Sequence, residues 1–500
     1  MILPSFADFE ATYRGGRPQL VWTRRIADTE TPVSAMLKLG RAGSGAFILE
    51  SVEGGAVRGR YSLLGFAPDL VFRVRNGKAE VNRRFADDAE AFETMPEAPL
   101  DALRRLVTET RMAMPADLPP AFAGFVGYMG YETIGLVEPV PAADADPLGL
   151  PDMLFVRPSL LVVFDRLRDE LFVAAPVYPG PAAADAAHTA AIERIETAES
   201  RLAGPLPALP AAIPGEVVIT AHTPPARYAA MVARAKDYIV DGDIFQVVLA
   251  QRFSTPFALP PMSLYRSLRR INPSPFLYLL DLPGFALIGS SPEILVRVRG
   301  GEVTVRPIAG TRPRGATALE DAANRDSLLA DPKELAEHLM LLDLGRNDVG
   351  RVAAEGSVAV TERNTVEFYS HVMHIVSNVR GELAAGKDSI DALMAGFPAG
   401  TVSGAPKVRA MQIIAELEPE KRGPYAGGVG YFSPDGSMDS CIVLRTAIVK
   451  DGVMHVQAGA GIVADSIAAY EQRECEAKAG ALIAAAKDAL ARAGEASFGQ

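Results

Sequence analysis

Short runs of apolar residues, rich in β-branched and aromatic side chains, alternate with turn residues through the first part of the chain. Ala46–Ser51, Tyr61–Phe66, Leu70–Arg75 and Ser159–Phe164 each predict a strand. The spacing turns helical near Ala190–Leu202, and prolines at 205, 207 and 210 then stop it. The Ala- and Pro-rich stretch from Pro176 to Pro214 reads as a seam between an N-terminal region, 1–215, and a C-terminal region, 216–500. Beyond the seam, Arg227–Asp241, Pro332–Leu344, Val408–Leu417 and Ala468–Arg492 predict helices. Ile244–Phe253, Gly427–Phe432, Ile442–Val449 and Val453–Ala458 predict strands, and Phe276–Leu282 with Ala286–Gly289 predicts a strand pair turning at Pro283-Gly284. Connections of such unequal length do not suit a regular βαβ array. They predict an α/β chain of the α+β type, with large, mostly antiparallel sheets flanked by helices.

Composition narrows the function classes. A chain of 500 residues exceeds one ordinary core, so two intimately packed units or one large layered unit are expected. Its 49% hydrophobic and 22% charged residues are globular proportions. A net charge of −11 argues against a broad surface for nucleic acid or acidic membrane. No run of about 18 apolar residues exists to span a bilayer. The start, MILPSFADFE, lacks the basic flank and apolar stretch of a signal peptide. Cys441 and Cys475 form no disulfide framework or clustered zinc site, so a reducing cytoplasm is expected.

Candidate chemistry concentrates in the C-terminal region. Glu334 and Glu337 share a predicted helical face with Leu341, where two acids are costly unless paired or bound to a cation. Glu471, Glu474 and Lys478 repeat the pattern on the last helix. Two helices presenting one carboxylate each would suit a hard divalent cation; either pattern alone is also an ordinary solvated face. Gly459-Ala460-Gly461 after a strand fits a dinucleotide fingerprint only weakly, because no second strand follows its helix. Backbone amides exposed to a carboxylate, or a plain tight turn, are the competing readings. The turn at Gly400–Lys407 could receive an anion or merely cap a helix. His371 and His374 lack a third metal ligand, and both cysteines read as inert buried thiols.

Taken in order, several longer segments resemble the chorismate-utilising enzymes, and most specifically the component I group of anthranilate synthases. They are LES at Leu49–Ser51, GRYS at Gly59–Ser62, GDIFQVVLAQRF at Gly242–Phe253, NPSPF at Asn272–Phe276, SSPEILV at Ser290–Val296 and PIAGTRPRG at Pro307–Gly315. EHLMLLDLGRND, VMHIVS, AGTVSGAPKVRAM, GPYAGGVGYF and AGAGIVADS complete the series. One departure is Ile467-Ala468-Ala469, where relatives often carry Pro-Glu after Asp-Ser; the spacing to Glu474 is kept.

The resemblance implies a two-domain fold of large antiparallel sheets and an active site in the C-terminal half. It implies that Glu337 and Glu474 ligate Mg²⁺, with Glu334 and Glu471 in support. Thr401, Tyr425, Arg445, Gly459, Gly461 and Lys478 would contact chorismate, Glu293 would be the general acid, and His374 would assist the second step. Water-adding relatives carry lysine at the position of Gln246. Those that aminate at C4 carry a nucleophilic lysine where this chain has Ala309, so C2 amination is favoured. The alternatives are an aminodeoxychorismate synthase component I and a catalytically dead tryptophan-binding paralogue. The resemblance also implies a separate glutamine amidotransferase subunit and feedback by L-tryptophan. Leu49, Glu50, Ser51, Pro275, Phe276 and Leu277 would enclose the inhibitor.

Overall fold

The computed structural model describes residues 1–53, 57–119, 122, 124–208, 216–369 and 372–493. Its centre is a pair of long strands, Val57–Arg75 and Met153–Asp165, matched from Tyr61↔Asp165 to Val74↔Met153. The two strands expected at Tyr61–Phe66 and Leu70–Arg75 are thus halves of one. The join is irregular at Pro68, which has no N–H to give the ladder, and Ala67 beside it takes φ 47°. Side chains alternate between two apolar layers: Ile48, Leu64 and Val162 pack on one face, Phe47, Leu63 and Val163 on the other. Burial on both faces explains why runs such as Leu160–Phe164 are apolar without alternation.

Two sheets leave this pair in different directions. From the first half of Val57–Arg75 the order runs through Ala46–Glu53, Phe276–Leu282, Phe285–Ser291, Thr446–Lys450, Val453–Ile462 and Gln246–Pro256. From the first half of Met153–Asp165 it runs through Phe125–Met129, Gly428–Phe432, Met438–Ile442, Ile294–Arg299, Glu302–Val305 and Val372–Glu382. Every one of these ladders is antiparallel. Strands from both ends of the chain are neighbours in each sheet; the expected seam holds the helix Ala184–Leu202, and the boundary at residue 215 lies outside the described residues.

The helices cover the outer faces. Asp331 caps Pro332–Gly350 by accepting from the N–H groups of Lys333 and Glu334. Ala468–Arg492 has the predicted bounds and lays small residues, Ala479, Ala485, Ala486 and Ala489, on its neighbours. The expected strand Ile442–Val449 is corrected. It breaks into Met438–Ile442 and Thr446–Lys450, because Arg445 takes φ 48° and turns the chain out of the ladder. The expected Val453–Ala458 instead continues as a strand to Ile462, straight through both glycines.

Candidate active site

The acid faces of the two long helices come together. Burial, then the charges of Glu334 and Glu474, push the Glu337 carboxyl above its ordinary range. Burial also raises Glu471, and Glu474 adds to the effect. Charges that act on each other in this way lie across a shared space. Glu334 meets Arg312 at 2.9 Å and Glu474 meets Lys478 at 2.6 Å, while Glu337 joins no ion pair among the described residues. Lys478 also donates to the Gly459 carbonyl at 2.9 Å, linking the last helix to the glycine strand.

Glu293 follows the strand Phe285–Ser291 and is only 8% exposed. Burial pushes its carboxyl up to about 8, although the Thr401 hydroxyl and the Arg445 charge oppose the shift. Thr401 donates to Glu293 Oε1 at 3.1 Å from the short turn Gly400–Val402. The Arg445 guanidinium is held down by burial, with the Glu293 charge acting against that. It forms no ion pair among the described residues. It is half-buried, with donors that an anion could meet.

His374 lies on the strand Val372–Glu382, and its Nδ1 is 3.1 Å from the Gly310 carbonyl and 3.1 Å from Thr311 Oγ1. A carbonyl only accepts, so Nδ1 carries the proton and Nε2 keeps a lone pair. Burial lowers its affinity for a second proton. The Tyr369 ring packs 5.4 Å from the imidazole, and the Glu293 charge reaches that phenol. Tyr369 was invisible as a site residue in the sequence, since no motif surrounds it.

Gly459 and Gly461 face Ala250 and Val248 across a ladder. The N–H groups of Val248 and Ala250 turn away from that ladder, to the Ser403 carbonyl and to Glu418. These pairs are therefore the non-hydrogen-bonded ones, and the glycine N–H groups point to the opposite edge. That edge loses its partner strand after Val456, so neither tight turn nor dinucleotide loop forms here. A Cβ on residue 459 would lie 2.9 Å from the buried Tyr425 Oη, and one on residue 461 would lie 2.5 Å from Gln246 Nε2. Gln246 Oε1 is buried without a partner.

Other candidates resolve differently. Lys407 gives its ammonium to both oxygens of Asp348 at 2.9 Å, so this cation is already paired inside the protein. His371 lies outside the described residues, among which no three His, Cys, Asp or Glu side chains converge on a metal by themselves. Cys441 and Cys475 are buried, with both thiols pushed up by burial.

The two segments expected to enclose an effector are neighbours: Leu277 lies opposite Glu50, and Tyr278 opposite Leu49. Pro275 precedes that strand, and Phe276 begins it opposite Ser291. Ser51 Oγ rests against Gly59, where any Cβ would collide with it. Glu50 is fully engaged, by Arg166, by Arg269 at 2.5 and 2.9 Å, by Tyr265 at 2.7 Å and by Ser62 at 3.3 Å. An incoming ammonium would meet backbone carbonyls more readily than this carboxylate.

The family described as chorismate binding enzyme matches residues 47–484. Anthranilate synthase component 1 of Cereibacter sphaeroides is 53% identical over 492 residues, spanning 97% of this chain and 98% of that protein. Its counterpart from Thermus thermophilus is 49% identical, over 93% of this chain and 97% of that one. The crystal structure of anthranilate synthase component I from Streptococcus pneumoniae superimposes with a TM-score of 0.76 at 37% identity, covering 92% of this chain and 98% of that one.

Proposed function

The chain belongs to the chorismate-binding enzyme family, and from that premise we propose that it converts chorismate and ammonia to anthranilate and pyruvate. The observation that carries the chemistry is Glu293, a buried carboxyl pushed up to about 8 by its burial, bonded to Thr401 and near Arg445, which has no ion-pair partner among the described residues. Ammonia forms the C2–N bond as the ring double bond shifts and the C4–O bond breaks. Glu293 gives its proton to the departing hydroxyl, which leaves as water. In the second step the C2 proton is removed, the ring C3–O bond breaks and the ring becomes aromatic; the enolpyruvate released takes up a proton at its methylene carbon to become pyruvate. Neutral His374, with its lone pair on Nε2, fits the base or the group that orients the intermediate.

Substrate binding follows from the same geometry. Arg445, Tyr425 and the N–H edge at Gly459 and Gly461 suit the enolpyruvyl carboxylate. Lys478 is tied to Glu474 and Gly459, so it bridges this edge to the acid cluster. Glu337 and Glu474, supported by Glu334 and Glu471, offer carboxylate oxygens that their own cations do not fully offset. One carboxylate from each of two helices would suit Mg²⁺, with water and substrate oxygens completing its shell. When bound, the ion supplies counter-charge for the ring carboxylate of chorismate. Gln246 offers no base for water, which supports amination over hydration, and Ala309 offers no nucleophile, which supports amination at C2 over the C4-aminating alternative.

Relatives named component 1 imply a second component. Glutamine-derived ammonia would come from that amidotransferase subunit, because neither buried thiol here is activated. Tryptophan is proposed as the effector at Leu49–Ser51 and Pro275–Leu277. The register supports a coupling route: Phe276 lies opposite Ser291, two residues before Glu293. Among the described residues no helix is long and apolar enough to cross a membrane; free cysteines fit the expected cytoplasmic location. The test is purified chain with chorismate, Mg²⁺ and ammonium, with products identified by mass. Anthranilate and pyruvate are expected with ammonium and neither with glutamine alone; 4-amino-4-deoxychorismate as the main product would place the chain with the C4-aminating enzymes.

A further inference from the structure

Among the described residues Arg422 is the largest fully buried side chain, and no catalytic step uses it. Its guanidinium spends its donors on three separate segments. Nε and Nη2 hold the two oxygens of Glu418 at 2.9 and 2.6 Å. Nη1 donates to the Val402 carbonyl at 2.7 Å, one residue from Thr401. Nη2 donates to the Val248 carbonyl at 2.7 Å, on the residue opposite Gly461. Glu418 extends the reach by accepting the Ala250 N–H at 2.8 Å, opposite Gly459. On the other side, Glu132 accepts the Arg422 and Gly423 N–H groups at 2.7 and 3.0 Å and so holds the turn that leads to Tyr425. The guanidinium carbon also lies 4.6 Å from the Tyr131 ring centroid and 5.6 Å from that of Tyr425.

We propose that Arg422, with Glu418 and Glu132, is a positioning unit that fixes the distance between the Glu293–Thr401 pair and the carboxylate pocket formed by Tyr425 and the glycine strand. The inference rests on the chorismate reading of that pocket. The reasoning is geometric. A planar fork has donors pointing in several fixed directions, and it is the one side chain that can hold a carboxylate edge and two carbonyls at once. Lysine, a point donor on a flexible stem, cannot keep those directions together. A buried ion pair is poor evidence for a role in stability, because apolar residues fill such space as well. A pair whose remaining donors go to the backbone of two substrate-contacting segments has a reason to be ionic. Misplacement of reacting groups by about 1 Å costs about a hundredfold in rate.

The test uses full-length Arg422→Lys and Glu132→Gln. Glu132→Gln keeps the fork but sets an amide N–H₂ against one of the two backbone N–H groups. Chorismate affinity is measured by calorimetry with Mg²⁺, which needs no turnover, and kcat and KM are measured with ammonium. Arg422→Lys, folded by circular dichroism, is expected to weaken chorismate binding and lower kcat by about tenfold or more. The half-saturating Mg²⁺ concentration stays within about twofold, since none of these bonds reaches the two acid-bearing helices. Glu132→Gln shows the same pattern at smaller size, and it decides the matter if Arg422→Lys does not fold. Wild-type affinity and kcat in a folded variant overturn the proposal. So does a loss in which the Mg²⁺ requirement moves in step, the mark of general loosening. Because affinity is read without product, the proposal and the amination reading can fail separately.

Discussion

Two buried glutamates, Glu50 on an N-terminal strand and Glu293 in the C-terminal half, differ in almost everything except their burial. Glu50 has two guanidiniums, a phenol and a hydroxyl around it, and its carboxyl is held below the ordinary range although burial opposes this. Glu293 has one hydroxyl and the charge of Arg445 without an ion pair, and it is pushed up to about 8. Glu337 resembles Glu293 in lacking an ion pair, with like charges for neighbours. A carboxyl whose burial the protein offsets from its own side chains is architecture. A carboxyl whose burial is left unbalanced is waiting for a proton, an ion or a substrate.

The comparison breaks most severely at the acid-bearing helices. Glu337→Ala and Glu474→Ala should reduce anthranilate formation to background at any Mg²⁺ concentration while the melting temperature holds. Near wild-type turnover at modest Mg²⁺ in either variant would remove that pair from the site. Next in size is Glu293→Gln, which keeps shape and loses the proton; a fall in kcat of about 10²–10⁴-fold is expected. Glu50→Ala should act on stability instead, leaving two arginines without their carboxylate at a cost of about 3–5 kcal/mol, read by denaturant melts.

Proton linkage sharpens the contrast, because the two shifts have opposite signs. Glu293 is raised, so its contribution is fully present below its unfolded value of 4.5 and lost as pH climbs through about 8. Glu50 is lowered, so its contribution is present above 4.5 and lost as pH falls through its folded value. Glu293→Gln should therefore flatten the alkaline decline in stability, and Glu50→Gln the acid one. Melts across that range check both. The smallest effect on turnover belongs to Ser51→Phe, which crowds the Gly59 contact. It should abolish inhibition by tryptophan with turnover little changed; full inhibition in the variant, or none in the wild type, would remove the regulatory proposal.

The sequence showed one half of this comparison better than the other. Strand and helix placement was readable where apolar periodicity ran unbroken, as in Ala468–Arg492 and Phe276–Leu282. It failed at Ile442–Val449, where every residue but one suits a strand and only a backbone angle at Arg445 breaks it. It failed again at Gly459 and Gly461, whose glycines mimic a turn but make room for Tyr425 and Gln246 inside a strand. Glu293 and Glu337 stood inside recognisable motifs, and Glu474 at a kept spacing beyond one. The partners of Glu50 did not: Arg166, Tyr265 and Arg269 lie more than a hundred positions away, Arg166 arriving at the end of the strand paired with Val57–Arg75 and the other two on the helix Pro261–Ile271. Arg422 was equally silent: it stands just ahead of the GPYAGGVGYF segment, and nothing in its neighbours announces that it is buried.

The central claim is that Glu293 holds its proton at neutral pH while Glu50 does not. Difference infrared spectroscopy of the carboxyl stretch, titrated in wild type and assigned with Glu293→Gln and Glu50→Gln, reads both groups directly. The account predicts a protonated carboxyl that ionises near pH 8 and vanishes in Glu293→Gln, and a Glu50 already ionised at 4.5. A Glu293 that ionises in the ordinary carboxylate range would contradict it.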